Sequence, residues 1–174
     1  GTINRHLFPG MQQGSGTAMS RGDWATAAGQ VMPQSSPVNV WSEAIVDMGT
    51  NTLTVNVEVY YTGSQTITSN KLNVAVLQNN VEGPQSGASA NPTSILSNGN
   101  YNHNHMLRHL MTGQWGDDLT NVSQGTYETR TYTWTLPNDI NGVELDPTQL
   151  EVVAFVAEGN QEVISGDYSS MSFI

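Results

Sequence analysis

The sequence predicts an all-β fold: a β-sandwich over residues 38–174, immunoglobulin-like in its simplest reading, with a jelly roll as the alternative topology. Three observations predict it. Apolar and polar residues alternate over several runs, as half-buried strands require. One run near the C-terminus is apolar on both faces, as expected of a central strand. Turn signals separate the runs at short intervals, giving roughly seven or eight strands with no internal repeat.

Residues 1–37 read differently, as an arm or linker ahead of the sandwich. Gly10, Gly14 and Gly16 with Gln12, Gln13 and Ser15 form a flexible loop. Ser20 or Asp23 is placed to cap a short helix through Trp24, Ala25, Ala27 and Ala28, which Pro33 ends. Such an arm is expected to bury little beyond Trp24. Ser35-Ser36-Pro37 then links it to the sandwich.

Val38 to Asp47 reads as the first strand and Met48-Gly49-Thr50-Asn51 as a turn. Leu53, Val55, Val57, Val59 and Tyr61 then alternate with Thr54, Asn56, Glu58 and Tyr60, so the two runs form an antiparallel hairpin. Leu72, Val74 and Val76 alternate likewise. Glu82 to Asn100, rich in Gly, Pro, Ser and Asn, is a long loop. Tyr127 to Leu136 puts four threonines on one face and Arg130, Tyr132, Trp134 and Leu136 on the other. Leu150 to Ala157 is the run that is apolar on both faces. Gly159-Asn160 makes a tight hairpin into Val163-Ile164, and a last strand ends at Phe173.

Composition excludes several classes of function. The formal charge is −10, with five basic residues against fifteen acidic, which leaves no footprint for nucleic acid or for an anionic membrane surface. There is no cysteine, so thiol catalysis, disulfides and thiolate metal sites are excluded for this chain. No apolar run approaches the roughly 20 residues of a membrane span. Abundant Thr, Asn, Ser, Gln and Gly with little Lys fit an exported all-β protein. No secretory signal is visible, and the start at Gly1-Thr2 reads as a trimmed end.

The candidate site is the stretch from Tyr101 to Asp118, which holds three of the four histidines, Arg108 and Trp115. On a strand, His103 and His105 share a face; on a helix, His105 and His109 do. The alternation of asparagine with histidine favours the strand. Either pair, completed by Asp117 or Asp118, has donors suited to zinc or another transition metal. The competing reading is that the histidines bond loop backbone and no cofactor is bound. Arg108, embedded between Met106-Leu107 and His109-Leu110, needs carbonyls or a carboxylate such as Glu58, Glu128 or Asp117. It reads as structural, with anion capture as the alternative. Trp115 reads as a core plug, or else as an exposed platform for sugar or peptide with Tyr60, Tyr101, Tyr127 and Trp134. The acidic turns at Asp139-Asn141-Glu144-Asp146 and Glu158-Asn160-Glu162 lack the spacing of a regular calcium loop. No set of residues reads as catalytic, since the serines lack a nucleophile-elbow context and no phosphate-binding glycine loop occurs.

His103-Asn104-His105-Met106-Leu107-Arg108 followed by Thr112-Gly113-Gln114-Trp115-Gly116-Asp117 resembles the signature of the outer-membrane-protein-28 family of Bacteroidetes. The resemblance covers about residues 38–174, with Leu77-Gln78 and Val152-Val153-Ala154-Phe155-Val156 as supporting pieces. It implies an exported protein of the periplasm, outer membrane or cell surface, proposed in the family as a receptor or adhesin. It also implies that a thioredoxin-like domain precedes the sandwich, with Thr2-Ile3-Asn4-Arg5 as that domain's last strand region. The resulting expectation is a non-enzymatic binding or structural module whose loops 82–100 and 113–126 meet a protein or glycan partner. The alternatives are an accessory domain of a thiol–disulfide oxidoreductase whose cysteines lie upstream, and a carbohydrate-binding module working through Trp115, Tyr101 and Asp117. The last requires an exposed Trp115.

Overall fold

The computed structural model describes residues 1–174. Eight strands form one continuous hydrogen-bonded ribbon that folds back on itself into two facing layers. The first layer contains β1 (Val38–Asp47), β2 (Thr52–Tyr61) and β8 (Tyr127–Thr135), with β2 between the other two. The second contains β3 (Asn70–Gln78), β6 (Met106–Leu110), β7 (Asp117–Leu119), β11 (Leu150–Glu158) and β12 (Glu162–Phe173). There β11 lies between β3 and β12, while β6 and β7 share the far edge of β3.

One strand serves both layers. Glu162 to Ser170 of β12 pairs antiparallel with β11, and Met171 to Phe173 then pairs parallel with Ala44 to Val46 of β1. Asp167 braces this crossing, accepting from Ser42 N at 2.7 Å and Ser42 Oγ at 3.0 Å. Grouping the first, second and eighth strands against the third, eleventh and twelfth is the immunoglobulin arrangement rather than the jelly roll. Two small hairpins lie off the ribbon: β4 (Val81–Gly83) with β5 (Tyr101–His103), and β9 (Asp139–Ile140) with β10 (Val143–Glu144).

The core follows from the alternation. Val55, Val57 and Val59 face inward from β2, and Leu72, Val74 and Val76 from β3. Val152, Ala154 and Val156 of β11 lie beside the β3 residues in the same layer, all fully buried. At about 25 cal/mol per Å², burial of each valine or leucine contributes on the order of 2 kcal/mol, so this face holds the layers together. The threonines of β8 lie outside, as the pattern requires.

The arm packs as a small unit with its own cluster of Phe8, Met19 and Ala27. This corrects the expectation of burial centred on Trp24, which remains 42% exposed. The helix α1 (Trp24–Val31) follows a single 3-10 turn. Ser20 Oγ caps that turn by accepting from Gly22 N, whereas Asp23 makes no cap bond. The arm meets the sandwich through Val163 N to Asn4 O at 2.8 Å and through His6 Nδ1, 2.7 Å from Glu162.

Candidate functional site

The stretch from Tyr101 to Asp118 is strand for much of its length, as the alternation predicts, but it is broken twice. The first break comes at Asn104-His105, between β5 and β6, and faces a matching break at Asn79-Asn80, between β3 and β4. Val81 pairs with His103 on one side of the double break and Gln78 with Met106 on the other. Asn80 and His105 both take left-handed backbone, with φ of 56° and 55°. Asparagine accepts this readily, whereas in histidine it stores strain of about 1–3 kcal/mol. Carboxamides hold the kink. Asn104 Oδ1 accepts from Asn80 N at 3.0 Å, Asn102 Nδ2 donates to Asn80 Oδ1 at 2.8 Å, and His105 N donates to Asn79 Oδ1 at 2.9 Å.

The kink sends His103 and His105 in different directions, which corrects the expectation that they share a face. His103 lies against Tyr101, with ring centroids 5.0 Å apart. His105 turns its Nδ1 to Glu151 on β11. Glu151 is only 2% exposed and also accepts from Asn79 Nδ2 at 2.9 Å and Tyr168 OH at 3.0 Å. Burial opposes ionisation of this carboxyl. The donors from His105, Asn79 and Tyr168 outweigh it and hold the pKa below the usual carboxylate value. Glu151 was not singled out in the sequence because it occupies an outward-facing strand position, where a carboxylate is ordinarily solvated.

Arg108 finds carbonyls rather than the carboxylate partners considered for it. Its guanidinium donates to Val143 O at 2.7 Å and to Glu144 O at 3.3 Å, clamping the β9–β10 hairpin to β6. His109 stacks on Trp134 of β8, with centroids 4.3 Å apart and planes 12° from parallel. Desolvation holds its pKa below the ordinary histidine value. Tyr132 OH donates to Asp117 at 2.9 Å, and Lys71 pairs with Asp118 at 2.8 Å. Both aspartates therefore serve the join between strands, and no three His, Asp or Glu side chains converge as a metal would need.

The second break, Met111 to Gly116, leaves β3 and rejoins it as β7. Thr112 Oγ1 accepts from Val74 N at 3.0 Å, replacing a missing ladder partner. Gly116, at φ 75°, lies so close to β3 that an added Cβ would fall 2.6 Å from Leu72 O, so only glycine fits. Leu119 and Val122 anchor the second half of loop 113–126 in the core, while Thr120, Asn121, Ser123 and Gln124 stay exposed. The excursion projects Trp115 outward, where it is 56% exposed. The core-plug reading of this residue is overturned.

Beside Trp115 the outer face of the second layer carries Phe155 with the Arg5 guanidinium 5.3 Å above its ring. Arg5, Asn73, Gln114, Trp115 and Asn160 line one shallow notch there. Of the remaining residues expected at a ligand surface, Tyr101 lies on the separate β4–β5 hairpin, its OH bonded by Asn91 Nδ2 at 2.8 Å. Asp117 is held by Tyr132, and Trp134 is packed against the core. The structure thus keeps Trp115 as a candidate contact, separates it from Tyr101, and adds Arg5.

These features define an immunoglobulin-type sandwich whose signature residues brace a kinked edge and display one tryptophan. Residues 1–167 match the family described as outer membrane protein Omp28, and the chain belongs to that family. It is accordingly an exported protein of the outer membrane or cell surface, and none of its helices is long and apolar enough to cross a membrane. Among solved structures, a domain of the outer membrane lipoprotein Omp28 from Porphyromonas gingivalis is 17% identical with a TM-score of 0.54. That likeness covers 79% of this chain and 98% of that one. HBP35 of Porphyromonas gingivalis is 16% identical with a TM-score of 0.67, over 92% of this chain and 49% of that one. The chain thus spans about half the length of HBP35, and at these identities the likeness shows the fold alone. No curated protein matches the sequence.

Proposed function

We propose that this chain is a non-catalytic binding module of an outer-membrane-associated protein, and that it takes carbohydrate on the surface around Trp115. The observation that carries the reading is the exposed indole. A sandwich with a large buried core displays a tryptophan at 56% exposure on a loop whose flanking Thr112 and Gly116 are both locked to β3. An aromatic held rigidly in water is a stacking platform that needs little ordering on binding. The exposed carboxamides of Gln114 and Asn160 line the adjoining notch and offer the donors and acceptors that sugar hydroxyls require, with the buried Asn73 beneath them. The other signature groups are engaged within the fold. His105 is held by Glu151, Arg108 by two carbonyls, and Asp117 by Tyr132. That distribution supports a binding role over a catalytic one.

The test is an oligosaccharide array probed with the purified chain and with Trp115→Ala. Trp115-dependent retention of a group of related glycans is the expected result. Retention of none, or retention indifferent to Trp115→Ala, would overturn the reading.

A further inference from the structure

The five basic residues of this acidic chain are not equally occupied. Lys71 is paired with Asp118, Arg130 with Glu128, and Arg108 with the carbonyls of Val143 and Glu144. Arg21 lies on the exposed surface of the arm. Arg5 is different. It is half-buried, takes part in no ion pair, and rests on the Phe155 ring.

Its placement is costly to the backbone. Asn4 and Arg5 are consecutive non-glycine residues in left-handed conformation, with φ of 49° and 50°. Asparagine accepts this conformation, but in arginine it is strained and the surrounding contacts must hold it in place. Asn4 O is pinned by Val163 N at 2.8 Å, and His6 on the other side by Glu162. Arg5 is therefore fixed between two anchors at the edge of the notch. Trp115 lines the same notch, together with Asn73, Gln114 and Asn160. A guanidinium is a planar fork of donors that matches a carboxylate in two parallel bonds. A neutral sugar can accept single bonds from such a fork but has no charge to pair with it.

We propose that Arg5 is the specificity residue of the Trp115 surface and that the ligand is an acidic glycan, one whose sugar carries a carboxylate. The inference rests on the carbohydrate reading above and narrows it. Trp115 takes the apolar face of the ring, the carboxamides take hydroxyls, and Arg5 takes the carboxylate. The chain's net charge of −10 repels acidic polymers at long range, so the preference is local and short-ranged.

The experiment uses glycans bearing uronic or sialic acids, each beside its carboxyl-reduced counterpart, so that members of a pair differ only in the carboxylate. Binding is measured for the wild-type chain, Arg5→Asn and Arg5→Lys, with melting temperatures to confirm folding. Asparagine tolerates the left-handed backbone at this position, so Arg5→Asn removes the charge without adding strain. The wild-type chain is expected to prefer the acidic member at least tenfold, Arg5→Asn to lose the preference, and Arg5→Lys to keep part of it. Equal binding of both members that still depends on Trp115 overturns the role of Arg5 and leaves the carbohydrate reading standing. A preference that survives in Arg5→Asn also overturns it. Binding of neither member anywhere on the array overturns both.

Discussion

The His109 ring lies flat on Trp134, 4.3 Å between centroids, and joins the edge strand of one layer to the edge strand of the other. The twelfth strand closes one side of the sandwich through the backbone. This stack, with the Tyr132–Asp117 hydrogen bond, closes the opposite side through side chains. Desolvation depresses the His109 pKa, so the folded state binds this proton less readily than the unfolded state does. Its contribution is therefore present above the ordinary value of 6.5 and is lost as pH falls from there through the folded value. His109→Phe keeps the stack and cannot titrate. Melting temperatures from pH 8 to 5 should fall less steeply for His109→Phe than for the wild-type chain, and parallel curves would contradict this assignment.

Glu151 makes a second pH-dependent contribution, at lower pH. Its folded pKa lies below the ordinary 4.5, so the stability it supplies holds above that value and is lost as pH falls through the folded pKa. Glu151→Gln keeps the shape and removes the charge that His105, Asn79 and Tyr168 donate to. Charge-assisted bonds contribute about 1.5–3 kcal/mol each, and partial compensation by the amide leaves an expected loss of ~2 kcal/mol at pH 7. Denaturant unfolding should show that loss shrinking toward zero at acid pH.

Gly113 and Gly116 both have positive φ but differ in their surroundings. An added Cβ at Gly113 meets nothing within 4 Å, whereas at Gly116 it meets Leu72 O at 2.6 Å. Gly113→Ala should cost about 1 kcal/mol from backbone strain alone. Gly116→Ala should cost ~3 kcal/mol, because the clash is with backbone that can move only if β3 moves. Comparable losses for the two variants would rule out the close approach of Gly116 to β3.

Thr112→Val is nearly isosteric but leaves the buried Val74 N–H without its acceptor. A loss of about 1–3 kcal/mol is expected from the desolvated donor. Thr112→Ser, which retains the oxygen, should recover most of it. If serine fares no better than valine, the hydroxyl is not the acceptor that stabilises β3.

The sheet was legible from sequence where packing is local to a strand. Leu53 through Tyr61 and the threonines of β8 declare their faces by period alone. The double face of Leu150 to Ala157 marks the strand that lies between β3 and β12. What escaped the sequence depends on residues far apart in the chain. Glu151 meets His105 across 46 positions, and a carboxylate at an outward strand position carries no mark of burial. Arg5 reaches Phe155 only because the arm folds back, and two left-handed residues at Asn4-Arg5 have no signature in composition. The motif around His103 to Arg108 drew attention for its histidines, yet its asparagines hold the kink. A tryptophan between glycines usually fills space, so sequence alone leaves Trp115 between core plug and exposed platform, and here the glycines serve to put it outside.

The central claim is that Trp115 and the notch beside it form the ligand surface. The most direct measurement is an NMR titration of the ¹⁵N-labelled chain with the glycan it retains, following amide and indole signals. Shifts are expected to gather at Trp115, Gln114, Asn73, Asn160 and Arg5. Shifts gathered instead on loop 84–100, or on the exposed aromatics Trp41, Tyr60 and Tyr127 of the opposite layer, would contradict it.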